Sequence, residues 1–239
     1  MLAIYTLLGL LLALALLYYL FMSSSSQVFG RYYWKKNTQD KVVALTFDDG
    51  PNEPFTSEIA NILIDNKVKA TFFQVGTCVN KYPEVTKRLY GDGHVIGNHS
   101  VHHRFSDHLL HPIYIKEIVD NQKIISRVIG VKPALFRSPW LFRQPLLLGS
   151  VKRNGLYPIS GTFCHPFEVF QPSGTSIAKR TLSKVRPGSI IIFHDGFDAR
   201  GGNRAETVLA VKLTVQSLIK SGYKFVLINE LLSLPAYQK

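Results

Sequence analysis

The first 22 residues, MLAIYTLLGLLLALALLYYLFM, contain no charged side chain, and no basic residue precedes the apolar run. The missing basic n-region argues against a cleaved signal peptide, whose apolar stretch is also shorter, roughly 7–15 residues. What remains is a segment long enough to span a hydrocarbon core of about 30 Å as a helix, and Tyr18, Tyr19 and Phe21 suit an interfacial belt. Residues 1–22 thus read as a transmembrane anchor or signal-anchor. Cysteine is scarce too: Cys78 and Cys164 have no metal-type pairing, which leaves two buried thiols, or one disulfide if the chain is exported. Acidic residues are few, 16 against 28 basic ones, and the net charge of +12 is carried entirely outside the apolar segment. That excess suits anionic headgroups or acidic wall polymers. The charges are scattered and no nucleic-acid motif is present, so DNA and RNA are not expected partners. No internal repeat is visible.

Ser23–Ser26 reads as a short flexible tether, within a linker over 23–40. Residues 41–239 are enough for one domain with a sizeable core. Strand-like and helix-like runs alternate through it. Strands are expected at Val42–Phe47, Ala70–Val75, Val95–Gly97, Ala134–Phe136, Tyr157–Thr162, Ser189–Phe193 and Lys224–Ile228. Helices are expected at Ser57–Asn66, Pro83–Tyr90, Ile113–Ile129, Pro145–Asn154, Ser176–Val185 and Arg204–Ser221, several of them stopped by glycine. Alternation implies an α/β domain with parallel pairing. Five of the seven strands carry a polar motif at the carboxyl end, where a β/α barrel gathers its active site. An open doubly wound sheet, the fallback, would concentrate function at one switch point.

Those motifs carry the chemistry. Thr46-Phe47-Asp48-Asp49-Gly50-Pro51 places two carboxylates at a strand end, so one can bind a metal while the other stays available as a base. His99 and His103 are spaced i, i+4, which would put both imidazoles on one side of a helical turn. With Asp49 they give two nitrogens and one oxygen, and three protein ligands with an open position describe a catalytic zinc-type site. Residues 94–111 also hold His94, His102, His108 and His111, and spacing alone leaves a role for His102 open. Arg137-Ser138-Pro139-Trp140 follows another strand; arginine can fork to a carboxylate and hold it ionised. His194-Asp195 follows a continuous apolar strand, and a histidine is suited to acid–base work near neutral pH.

The order and spacing of these motifs resemble the NodB-type polysaccharide deacetylases, carbohydrate esterase family 4, over about residues 40–232. The resemblance implies a NodB homology domain, a distorted (β/α) barrel of about seven parallel strands. It implies a hydrolase that removes N-acetyl groups from an N-acetylated polysaccharide and needs one divalent metal ion, zinc first, with cobalt and nickel open. Carried over to this chain, Asp49, His99 and His103 would be the metal ligands, Asp48 the base and His194 the acid. Arg137 would orient Asp48. Pro139 and Trp140 would line the substrate groove, the Trp140 N–H helping to hold the oxyanion and its ring offering a stacking surface. The fourth motif departs from the pattern. The family usually shows an Asp-Trp pair, whereas this chain reads Gly161-Thr162-Phe163-Cys164-His165-Pro166-Phe167-Glu168, in which Glu168 is the one acid within reach of the catalytic histidine. Two alternatives stay open: an O-acetyl esterase or small-amide hydrolase on the same scaffold, and a membrane-tethered glycan-binding protein with a decayed site. Arg31, Lys35 and Lys36 follow the apolar segment, which by the positive-inside rule alone would leave the domain in the cytoplasm. A cell-envelope glycan substrate instead puts the domain outside the membrane.

Overall fold

Strand β1 (Val42–Asp48) is buried along nearly its whole length, which its apolar run requires of a strand covered on both faces. This computed structural model describes every residue except Cys164, and for Phe163 the backbone only; the expectation for the Cys164 thiol lies outside the described residues. Around β1 the sheet adds β2 (Thr71–Gln74), β3 (Val95–Asn98), β4 (Leu135–Phe136) and β5 (Tyr157–Pro158) on one side. On the other side come β7 (Ile190–His194) and then β6 (Thr162–Phe163), while β8 (Lys224–Phe225) pairs with the first residues of β1. Every ladder is parallel. The sheet curls into an incomplete barrel.

The eighth strand arises because the stretch expected as one strand, Tyr157–Thr162, is two. β5 pairs with β4, and β6 pairs with β7. Between them the chain steps from one sheet edge to the other. Pro158 has no N–H to continue a ladder, and a Cβ at Gly161 would sit 2.8 Å from the Ile190 carbonyl oxygen. The seam is filled by the chain ahead of the barrel. Tyr33 donates its N–H to the Pro158 carbonyl (3.1 Å) and accepts from the Ser160 N–H (2.8 Å), and the Lys36 N–H reaches the Gly188 carbonyl (2.8 Å).

Helices α1 (Leu2–Met22), α2 (Phe55–Asp65), α4 (Pro83–Gly91), α6 (His111–Ile129), α7 (Leu147–Arg153), α8 (Gly174–Lys184) and α9 (Ala205–Lys220) match the expected ones to within a few residues. The short α3 (Gly76–Lys81) and α5 (Phe105–Leu109) are additional. So is α10 (Ile228–Leu232), which cuts the last strand short: the Glu230 side chain accepts the Leu227 N–H at 2.9 Å and caps the helix. The core lies between the sheet and α2, α6, α8 and α9. At its centre the rings of Phe47, Phe72 and Phe193 stack along three neighbouring strands, with Ile59, Leu63, Val211 and Val215 packed against them. Each such side chain contributes about 1.5–3 kcal/mol by leaving water.

α1 buries none of its 21 residues and is long and apolar enough, by length and composition, to cross a membrane. The segment after it is not the flexible tether that its serines suggest. Ser26 is fully buried, and the Ser24 carbonyl accepts from Ser160 Oγ at 2.7 Å. Arg143, buried behind it, donates its backbone N–H to the Phe21 carbonyl (2.9 Å) and its guanidinium to the carbonyls of Ser23 (2.5 Å) and Ser24 (3.3 Å). A cation placed there satisfies the carbonyls that a helix leaves open at its C-terminus.

Candidate metal and catalytic site

Parallel register brings the first and last motifs together. Asp48 ends β1 and His194 ends β7, and the two are direct partners across the ladder. Asp48 is held from below by Arg137, which leaves β4 fully buried. Its Nη1 donates to Asp48 Oδ1 (2.7 Å) and to Thr46 Oγ1 (2.8 Å), and its Nη2 to the Ser160 carbonyl (2.9 Å). The guanidinium also lies 4.2 Å from the centre of the Phe73 ring. The guanidinium thereby fixes the orientation of the Asp48 carboxylate at the end of β1. Two glycines let the strand-end loops meet. A Cβ at Gly50 would fall 2.0 Å from Asp195 Oδ2, and one at Gly196 would fall 2.4 Å from the Asp49 carbonyl oxygen.

Asp49 stands at φ 75°, in the left-handed region that non-glycine residues rarely adopt. Its Oδ2 accepts the Asp198 N–H at 3.2 Å. Its Oδ1 is buried and receives no hydrogen bond, yet lies 3.1 Å from His103 Nε2 and 3.3 Å from His99 Nε2. Both imidazoles are turned this way by their other nitrogen. His99 Nδ1 donates to the Arg137 carbonyl (2.7 Å), and His103 Nδ1 lies 3.1 Å from Asp198 Oδ1. A carbonyl and a carboxylate behind two Nε2 atoms are the supports that metal-binding histidines use. Burial opposes the charge on Asp49, but the two histidines hold its carboxyl well below the usual carboxylate range. An acceptor without a donor, facing two nitrogens with all three ligand atoms within 4.8 Å of one another, fits a single divalent cation.

The histidine pair is not on a helix. Ser100 (φ 66°) and His103 (φ 53°) are left-handed, and side chains take over the backbone bonds. Asn98 Oδ1 accepts the Ser100 N–H (3.0 Å), Ser100 Oγ accepts the His103 N–H (3.3 Å), and Glu117 Oε2 accepts those of Val101 (3.2 Å) and His102 (2.9 Å). A tight turn satisfied in this way brings residues four apart together as a helical turn would. His102 points elsewhere, its Nδ1 2.9 Å from Glu117 Oε1.

On the opposite wall Glu168 is buried, with Oε2 2.6 Å from His194 Nδ1, and Thr207 of α9 donates its hydroxyl to Oε1. Burial would lower the His194 pKa, but the Glu168 carboxylate outweighs it and lifts the imidazole to about 9. A cation held by Asp49 would offset part of that rise, since it repels the imidazolium. Asp195 is pushed up to about 7 by burial, against a 2.6 Å bond from Thr56 Oγ1 that favours its ionised form.

Asp48, Asp49, His99, His103, Glu168 and His194 all line one cavity of about 680 Å³. Trp140 forms part of its wall at φ 51°, with its ring centre 4.3 Å from that of His103 and its other edges against Phe105 and His108. Pro139, expected to line the groove, is instead buried behind that wall; its fixed φ opens the single 3₁₀ turn that carries Trp140. Arg137 likewise lies beneath the cavity floor and acts on it through Asp48. Three contributors had no sequence signal: Asp198 behind His103, Thr207 behind Glu168 and Ser160 behind Arg137.

The chain is similar to known deacetylases. A family model described as polysaccharide deacetylase matches residues 35–159. A peptidoglycan-N-acetylglucosamine deacetylase of Bacillus cereus is 30% identical over 204 residues, 85% of this chain and 93% of that protein. A chitooligosaccharide deacetylase of Azorhizobium caulinodans is 32% identical over 192 residues, 76% of this chain and 90% of that protein. Among solved structures, a peptidoglycan N-acetylglucosamine deacetylase superposes with a TM-score of 0.80 at 27% identity, covering 87% of this chain and 95% of its own. A carbohydrate esterase family 4 pseudoenzyme from Bacillus anthracis shares the fold, with a TM-score of 0.74 at 24% identity over 83% of this chain and 68% of its own.

Proposed function

The chain belongs to the polysaccharide deacetylase family, and from that premise we propose that it hydrolyses N-acetyl groups of an N-acetylated cell-envelope glycan, using one divalent metal ion, zinc in preference to cobalt or nickel. The observation that carries this reading is the buried Asp49 Oδ1, which faces two histidine nitrogens and receives no hydrogen bond. Asp49, His99 and His103 would hold the ion. When bound, it supplies Lewis-acid polarisation of the acetyl carbonyl and makes water a better nucleophile.

The remaining steps belong to the side chains. Arg137 occupies Asp48 Oδ1, so Asp48 takes the attacking water's proton on Oδ2. Glu168 fixes the His194 tautomer by holding Nδ1, which makes Nε2 the atom that delivers a proton to the departing nitrogen as the carbon–nitrogen bond breaks. The products are a free amine on the sugar and acetate. Trp140 supplies an aromatic wall against which a sugar ring can stack. Glu168 stands in for the aspartate of the family pattern, one methylene longer and steadied by Thr207. A decayed, glycan-binding role is disfavoured because base, acid and all three ligand side chains converge on one cavity. Residues 1–22 serve as a membrane anchor, with the catalytic domain on the extracytoplasmic side. Acetate release from N-acetylated glycans by the zinc-loaded chain tests the reading. It requires turnover that chelation abolishes and zinc restores.

A further inference from the structure

The cavity that holds the catalytic groups is walled on one side by the end of α1. Tyr18 and Met22, one turn apart on the same helix face, line it, followed by Ser23 and Ser24. At about 1.5 Å per residue the 21-residue α1 is about 31 Å long, which only just spans a hydrocarbon core of about 30 Å. Tyr18, Tyr19 and Phe21 suit an interfacial aromatic belt, so with α1 inserted Tyr18 and Met22 sit at the membrane–water boundary, and the cavity they line begins there.

Two further observations fix the domain at that height. The buried Arg143 ties the carbonyls of Phe21, Ser23 and Ser24 to the catalytic domain, so the junction is a packed joint. Apolar side chains around this end are exposed. Phe105 (44% exposed) packs on Phe142, whose ring stacks on Phe21. Leu109 (59%) and Leu110 (58%) follow on α5 and the residue after it, and across the cavity Phe170 (72%) and its neighbour Phe167 (62%) project from the loop that carries Glu168. Exposed apolar groups on a domain joined to a membrane helix favour burial in the lipid interface.

We propose that the substrate is an N-acetylated saccharide carried on a lipid in the same bilayer, with the sugar presented in the headgroup layer. This rests on the deacetylase reading above. A site locked at the surface reaches sugars held within that layer, roughly 5–8 Å deep on each face, and not those held far above it.

The test uses the full zinc-loaded chain in phosphatidylcholine vesicles and one N-acetylglucosamine oligosaccharide in three forms. In the first it is attached directly to a phospholipid headgroup. In the second it is attached to the same lipid through a rigid polyproline spacer of about 60 Å, at about 3.1 Å per residue. In the third it is free in solution. The expected result is acetate release from the directly attached form at least tenfold faster than from the spaced form at equal surface density. Equal rates, or a faster spaced form, would overturn the inference; with acetate still released, the deacetylase reading would stand. No acetate from any of the three forms would overturn that reading, and the inference with it.

Discussion

Glu168 lies in the stretch that differs from the family pattern the other motifs resemble, and its contact with His194 makes a pH prediction. His194 is raised to about 9, burial pulling it down and the Glu168 carboxylate more than compensating. An acid catalyst works while protonated, so activity falls as pH rises through its pKa. Glu168→Gln removes the raising charge and leaves the burial, so the alkaline limb of kcat/KM should move to lower pH. An unmoved limb would make Glu168 a bystander. The same raised pKa stabilises the fold fully below the unfolded histidine value of about 6.5, and that share is lost as pH rises towards 9. Thermal melts of Glu168→Gln should therefore lose this part of the pH dependence. At this scale residue type and strand end pointed to neighbours in space: Asp48, Asp49, His99, His103 and His194 line one cavity, and Arg137 lies beneath it against Asp48. Glu168 was legible only as the one acid in its loop. Asp198 was not, because nothing in the loop after His194 distinguishes a carboxylate that packs behind His103 from a solvated one.

The strands were readable because a buried parallel strand must be apolar, and the motifs at their ends because polar residues after such a run have no structural reason to cluster. The turns were less so. Four-residue spacing was right for His99 and His103 although no helix is there, since Asn98, Ser100 and Glu117 replace the helical bonds with side-chain acceptors that pattern alone does not reveal. The division of the fifth strand depends on the Ile190 carbonyl meeting Gly161, a contact between distant segments. Gly50 offers a test of such close approach. Gly50→Ala puts a methyl carbon 2.0 Å from a carboxylate oxygen of Asp195, itself held by Thr56. Overpacking of this kind costs about 1–3 kcal/mol, and at this chain length each kcal/mol lowers Tm by about 2–4 °C. Calorimetry should show a drop of several degrees. An unchanged Tm would mean that Asp195 swings aside at no cost.

For the whole molecule, the serine run after α1 misled because its fixing partner, Arg143, lies far along the chain, and a tether and a packed joint share one composition. If α1 is the anchor that its length and its packed junction suggest, Edman sequencing of the mature protein should begin within residues 1–22; a mature terminus after Ser23 would show cleavage. The central claim is that Asp49, His99 and His103 hold one metal ion and that Asp48 is the base beside it. It is tested most directly by measuring bound zinc and acetate release together on the parent chain, His103→Ala and Asp48→Asn. The parent should hold one zinc per chain. His103→Ala should lose both metal and turnover after dialysis, since even a residue that only supports a ligand costs about 10–100-fold in affinity. Asp48→Asn should keep its zinc and lose about 10²–10⁴-fold in kcat. Zinc retained by His103→Ala at the parent's level, or kcat of Asp48→Asn within threefold of the parent's, would contradict the account.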